Sequence, residues 1–388
     1  MDALKRQIRE AARRIGFPLC GFARIESVPH ADFLRQWLAD GNAAGMAYLE
    51  RGLARRLDPR LILRQARSVI TVGYRYLPPP LPPLDWQAEL RGRIAAYALD
   101  ADYHRIVRRK LDELAAALTA LRPDMMALSY VDTGAILERE WAAGGGLGWF
   151  GKNTNILHTE EGSYFFLGEL LTNLELDAEP VVPDHCGTCT RCLDLCPTHA
   201  LKPGYILDAR LCISYLTIEH RGPIPINLRP QLGNWIFGCD VCQEVCPWNE
   251  KLVKRGALPE NPSLLPYLPD LLRLDAEGFE ARFAGSAIRR AKRDGFVRNV
   301  AVALGNSRNP AAVPVLRDAL QDDPSALVRT HAAWALGAIG GHAARRALDR
   351  ARQRAPDAEV RAAVEQALDA AGQRPSPGTL VAPARAHR

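Results

Sequence analysis

Eight of the nine cysteines lie between residues 186 and 246, and that crowding decides what the stretch can be. The first run is Cys186-x2-Cys189-x2-Cys192-x3-Cys196-Pro197. Three thiols at this spacing wrap three corners of a [4Fe–4S] cube, and in two-cluster proteins the fourth serves the other cluster. The second run is Cys239-x2-Cys242-x3-Cys246-Pro247. Projected backwards, its pattern lands on Ile236, so one ligand is missing, and Cys212 is the nearby replacement. One cluster is therefore expected on Cys186, Cys189, Cys192 and Cys246. The second falls to Cys196, Cys212, Cys239 and Cys242. Structural zinc prefers two cysteine pairs with a longer spacer, and does not account for two Cys-Pro runs. Cys20 is left over and reads as a small buried hydrophobe.

Hydrophobic residues make up 47% and charged residues 24%, which excludes wholesale disorder. No apolar stretch is long enough for a membrane span. The N-terminus lacks the apolar core of a signal peptide and reads as an amphipathic helix, with Leu4, Ile8, Ala11 and Ile15 on one face. A disulfide framework is not expected without export, and a cytoplasmic location is. The net charge of +6 is lopsided. Residues 281–388 carry 18 Lys and Arg against 9 Asp and Glu, while the rest carry 32 against 35. A basic tail of this kind suits an anionic partner such as nucleic acid, or an Arg-rich solvated surface.

Along the chain, Val69–Gly73 and Met125–Val131 read as strands, and Tyr103–Ala120 and Ala135–Ala142 as helices. Strand-like segments follow near 155–158 and 163–167. Residues 77–84 form a proline-rich excursion. Three domains result: an α/β or α+β domain over 1–175, a loop-rich cluster module over 176–260, and a helical region over 261–388 whose tail from about 372 reads as disordered. In the helical region, Val328–Leu336 and Val360–Leu368 superimpose at a period of 32, with Val297–Leu304 one residue out of phase. Such repeats stack, each burying its neighbour's apolar face. Arg289, Arg290, Lys292, Arg293 and Arg298 lie where the repeats begin and are the expected phosphate contacts.

Two patterns fall short of familiar motifs. Gly146-x4-Gly151-Lys152-Asn153 has Asn where a P-loop needs Ser or Thr, and a helix rather than a strand precedes it. Its glycines suit close approach to a flat cofactor or a cluster. Asp102-x-His104-x-x-Val107 lacks the glycine of the cobalamin-ligating Asp-x-His-x-x-Gly pattern, so a His–cobalt bond is not implied. Asp132 stands where a strand ends, either as a cap or turn residue or as a proton donor.

Together, Val131-Asp132-Thr133-Gly134, Gly148–Asn153, the cysteine runs, Cys212–Glu219 and Gly238–Asn249 resemble the epoxyqueuosine reductases over nearly the whole chain. That resemblance implies a multidomain α+β protein. Its N-terminal α/β cobalamin-binding domain would be similar to that of the reductive dehalogenases. A ferredoxin-like module with two [4Fe–4S] clusters and C-terminal HEAT-like repeats would follow. The clusters would pass electrons to base-off cobalamin, the second being nearest. The substrate would be the epoxide at the wobble base of tRNA, reduced to an alkene, with Asp132 protonating the leaving oxygen. Burial is expected to raise the Asp132 carboxyl toward the working pH. Arg56, His104, Asp132, Asn153 and Ser214 would contact cobalamin. A flavodoxin or ferredoxin would supply electrons to a monomeric enzyme.

Other classes remain open at this level. A reductive dehalogenase would share both cofactors but would not need a basic repeat tail. A two-cluster electron carrier leaves the first 175 residues unexplained. A repeat scaffold would hold clusters that do not turn over.

Overall fold

A computed structural model describes residues 2–78, 84–253, 265–354 and 357–372. The centre of the proline-rich stretch and the tail beyond 372 lie outside the described residues. The N-terminal domain is built on four strands: β1 Leu19–Arg24, β2 Ser68–Arg75, β3 Ala127–Tyr130 and β4 Phe165–Thr172. Their order is β1-β2-β4-β3, antiparallel throughout. Alternation along β2 and β4 sends Ile70, Val72 and Leu170 to one face. There they meet helices α1 (Asp2–Ile15) and α2 (Tyr103–Leu121), through Ile8, Ala11, Val107, Leu111 and Leu114. The opposite face presents Val69 and Leu171 to helix α3 (Glu138–Gly144), whose Trp141 packs on them. Helix α3 begins three residues later than its sequence pattern suggests. Residues 131–137 are thus a loop between β3 and α3, and Asp132 lies on it rather than capping the helix.

The cluster module has little regular structure beyond short helices such as α4 (Ile213–Ile218). Behind it stand the repeat helices: α5 Lys292–Ser307, α6 Val313–Asp322, α7 Ala326–Ile339, α8 Gly341–Arg354 and α9 Ala358–Gly372. Helix α7 packs between α5 and α9, with α6 and α8 as the second layer. Leu90, Ile94 and Ala98 share the apolar core of the repeats. A short parallel pairing of Arg93–Ile94 with Trp235–Phe237 carries this segment across. The helical region is therefore built into the body of the protein. Among the described residues no helix is long and apolar enough to cross a membrane.

Two of the expected phosphate contacts are spent on internal contacts instead. Arg298 is 0% exposed. Its guanidinium donates to the carbonyls of Leu216 at 2.6 Å, His220 at 2.9 Å and Gly222 at 2.7 Å. Next to it Asn299 donates to the carbonyls of Thr217 and Ile236. Burial pushes the Arg298 guanidinium down to about 9, which still leaves it charged at neutral pH. Arg293 is likewise spent on Asp323 and the carbonyl of Leu274. Sequence periodicity cannot separate these two from their exposed neighbours, because a long cationic side chain occurs on either face of a helix. Replacing Arg298 by Met strands three carbonyls and should cost about 3 kcal/mol in chemical denaturation.

Candidate active site and cluster ligands

Asp132 has a backbone φ of +54°, an αL conformation that Asp adopts more readily than most residues. Gly134 follows because a Cβ there would stand 2.2 Å from the Tyr130 ring. Arg56, almost fully buried, donates to the carbonyls of Gly134 and Ile136 at 3.2 Å and pins the loop from below. The Asp132 side chain is 58% exposed, which leaves it open to a ligand. The Tyr103 hydroxyl donates to its Oδ2 at 2.7 Å, and His104 Nε2 lies 3.1 Å from the same oxygen. The other ring nitrogen of His104 is 2.7 Å from Asp102 Oδ1. Both imidazole nitrogens are thus engaged by carboxylates. Tyr103 stacks on Phe166 with ring centroids 4.1 Å apart, which fixes the hydroxyl.

The charge balance corrects the sequence reading. Partial desolvation pushes the Asp132 carboxyl up, but hydrogen bonds from His104 and Tyr103, with the His104 and Arg290 charges, hold it below its ordinary value. Burial pushes His104 down, and its bonds to Asp132 and Asp102 outweigh that and raise it. Both shifts favour a carboxylate beside a protonated imidazole. Glu138, at the start of α3, accepts the backbone N–H of Asp132.

Arg290 completes the rim from the repeat side. It pairs with Glu219 at 2.7 Å and lies 5.8 Å from the centre of the Tyr48 ring. The cleft therefore lies between the N-terminal domain and the first turns of the repeats. Arg289 and Lys292 are exposed beside it.

All nine cysteines are unbridged. Cys192 has Cys246, Cys186 and Cys189 as neighbours, while Cys239 has Cys212, Asp240 and Cys196. The Cys242 thiol neighbours Cys239, Cys212 and Asp240, and also Cys192 of the first run. The eight thiols of the two runs and Cys212 thus neighbour one another within one module. Cys212 caps α4, and the backbone N–H groups of Tyr215 and Ser214 point at its sulfur. Ser214 therefore lies beside a cluster position, through its backbone. The Gly148–Asn153 motif finds its use here. Lys152 Nζ donates to the carbonyls of Gly187 at 2.7 Å and Cys189 at 3.0 Å, and Asn153 Nδ2 donates to Cys242 at 3.2 Å. One loop of the N-terminal domain thus grips both cysteine runs. At Gly148 a Cβ would stand 1.9 Å from the Leu157 carbonyl, so only glycine lets the loop close. Tyr103, Glu138 and the grip of Lys152 carry no sequence signal, since each depends on contacts distant in the chain.

Comparison with known proteins gives concordant findings. A family model described as "Epoxyqueuosine reductase QueG, DUF1730" matches residues 56–133. A 4Fe-4S double cluster binding domain matches 185–249, and HEAT repeats match 285–369. The chain is similar to the epoxyqueuosine reductase of Pseudomonas aeruginosa, 40% identical over 86% of this chain and 94% of that one. That of Bacillus anthracis is 35% identical over 96% and 99%. Among solved structures, an epoxyqueuosine reductase with an epoxyqueuosine-modified tRNA-Tyr stem loop superimposes with a TM-score of 0.89, at 31% identity over 95% of this chain and 99% of that one. The Bacillus subtilis enzyme, with an aspartate-bearing catalytic loop swung out of its active site, matches at 0.87, with the same identity and coverage.

Proposed function

The chain belongs to the epoxyqueuosine reductase family, and on that premise we propose that it reduces epoxyqueuosine in tRNA to queuosine, with Asp132 as proton donor and with two [4Fe–4S] clusters and cobalamin as redox groups. The observation that carries this reading is Asp132 itself. It is held open to the cleft by Tyr103, His104 and an αL turn, between an exposed basic rim and the cysteine module.

Loss of the epoxide oxygen as water consumes two electrons and two protons and leaves an alkene. An alkoxide is a poor leaving group, so an acid must meet the oxygen as the bond breaks. His104 holds a proton 3.1 Å from Asp132, and its transfer along that contact makes Asp132 the acid. Tyr103 keeps the carboxyl aimed. Cys186, Cys189, Cys192 and Cys246 would ligate the first cluster, and Cys196, Cys212, Cys239 and Cys242 the second.

The residues near the cleft fit cobalamin. Arg56 keeps a buried Nε–H without a partner, available to an amide of the corrin rim. His104, Asp132, Asn153 and Ser214 are the other candidate contacts. When bound, cobalamin supplies a cobalt centre whose reduced form is a strong nucleophile and one-electron reductant. Both nitrogens of His104 are already engaged, which supports cobalt without a protein histidine.

The test is nucleoside mass spectrometry on anaerobic protein with cobalamin, a chemical reductant and epoxyqueuosine-containing tRNA. Loss of one oxygen from the modified base is expected. Absence of conversion, with clusters and cobalamin shown bound, would move the assignment to another reductive substrate. On the tRNA side, Arg289, Arg290 and Lys292 are the remaining phosphate contacts. Neutralising all three should weaken binding and lower the slope of log K against log salt by about 0.7–0.9 for each phosphate left without its cation.

A further inference from the structure

Glu169 is an anomaly in the middle of β4. It is 0% exposed, and neither carboxyl oxygen makes a hydrogen bond of good geometry. Its register partners are Thr71 on β2 and Tyr130 on β3. The Thr71 hydroxyl is also buried without a partner. The ionisable group facing Glu169 is Glu138, on the helix that covers this side of the sheet. Glu138 in turn accepts the backbone N–H of Asp132, and Tyr130 lies two residues before Asp132. Two carboxyls thus stand in series behind the proposed proton donor, in an otherwise apolar layer.

Two such groups cannot both be ionised. A buried carboxylate without hydrogen bonds is strongly disfavoured, and a second negative charge beside it more so. The proton belongs on Glu169, which has no donor of its own. From there it can be donated to Glu138, whose ionised form makes the stronger, charge-assisted acceptor for the Asp132 N–H.

We propose that Glu138 is a positioning residue for Asp132, and that Glu169 is the buried carboxylic acid that donates to Glu138 and keeps it aimed. The assignment rests on Asp132 being the proton donor, and extends that role two residues deeper. The groups facing Glu138 are Asp132 on the loop, Glu169 on β4, Arg139 on its own helix, Arg56 below the loop and Tyr103 on α2. Burial and the Asp132 charge push Glu138 up to about 7. Falling pH through that value protonates it and weakens its hold on the loop, so kcat should fall on the acid side. Stability runs the opposite way. A carboxyl raised by folding contributes stability that is present at acid pH and lost as pH rises from the ordinary 4.5 through about 7.

Three variants test this. Glu138→Gln should lower kcat by about 10²-fold, because it loosens the loop. KM for the tRNA should stay within about twofold, because the side chain does not bind it. The acid limb near pH 7 should vanish with the charge. Glu169→Leu should lower kcat similarly, and Glu169→Gln, whose amide N–H replaces the acid O–H, should recover most of the loss. In the cofactor-free protein at neutral pH, infrared spectra should show a protonated-carboxyl band that Glu169→Gln removes. Melting temperature should fall with rising pH in wild type, and less so in Glu138→Gln. A wild-type spectrum without that band, or an acid limb unchanged in Glu138→Gln, overturns the proposal. The infrared and melting arms need no substrate, so failure of the epoxyqueuosine assignment would register separately, as absent conversion by wild type.

Discussion

Replacing Asp132 by Asn lowers kcat/KM for epoxyqueuosine reduction by about 10²–10⁴-fold, the usual contribution of a positioned general acid. Asn keeps the shape of the side chain and tolerates the αL backbone of +54°. Its amide oxygen still accepts from Tyr103, so the loop should hold its pose. What disappears is the exchangeable acid proton at the leaving oxygen. Cluster content and tRNA affinity should match wild type, because Asp132 touches neither a cysteine nor the exposed basic residues. Nucleoside mass spectrometry with a time course measures the rate, and iron and sulfide analysis confirms the clusters. Conversion at the wild-type rate would remove Asp132 as donor and shift the role to His104, its proton-holding neighbour at 3.1 Å.

What could be read from the chain depended on whether a function is local. A cluster loop is local: three thiols two residues apart commit themselves by spacing, and the missing ligand at Ile236 pointed to Cys212. Ile236 is in fact 0% exposed in the apolar core of the repeats. The end of β3 was also visible, because its apolar run stops at Val131. The balance of forces on Asp132 was not. Burial alone argued for a raised carboxyl, but Tyr103 and His104 are supplied by a helix some thirty residues earlier, and their hydrogen bonds reverse the sign. The arginines failed for a related reason. Composition counts charges without saying which ones are buried. Arg298 neutralises no phosphate, because it is consumed by the carbonyls of the cluster module.

The same long-range contacts explain why the modules act together. Lys152 and Asn153 grip both cysteine runs, and Arg139 donates to the Thr154 carbonyl at 2.6 Å from the helix that begins with Glu138. The loop holding the cluster module is therefore tied to the helix that positions Asp132. In the proposed function, a rigid connection of this kind would keep electron delivery and proton delivery in register.

Cys212→Ala removes one of two clusters and abolishes turnover. Its sulfur lies near those of Cys196, Cys239 and Cys242, at the head of α4. Alanine leaves that cluster with three ligands and cannot replace the fourth. Anaerobically reconstituted protein should lose half of its iron and sulfide and keep the spectrum of the cluster on Cys186, Cys189, Cys192 and Cys246. Reduction of epoxyqueuosine should cease, because the lost cluster is the one assigned nearest the redox cofactor. Cys20→Ala is the control. It lies on β1, within the N-terminal sheet, outside the cysteine module. It should retain both clusters and wild-type conversion. Full iron content in Cys212→Ala would show that another residue supplies the fourth ligand. Half the iron in Cys20→Ala would place that ligand in the N-terminal domain.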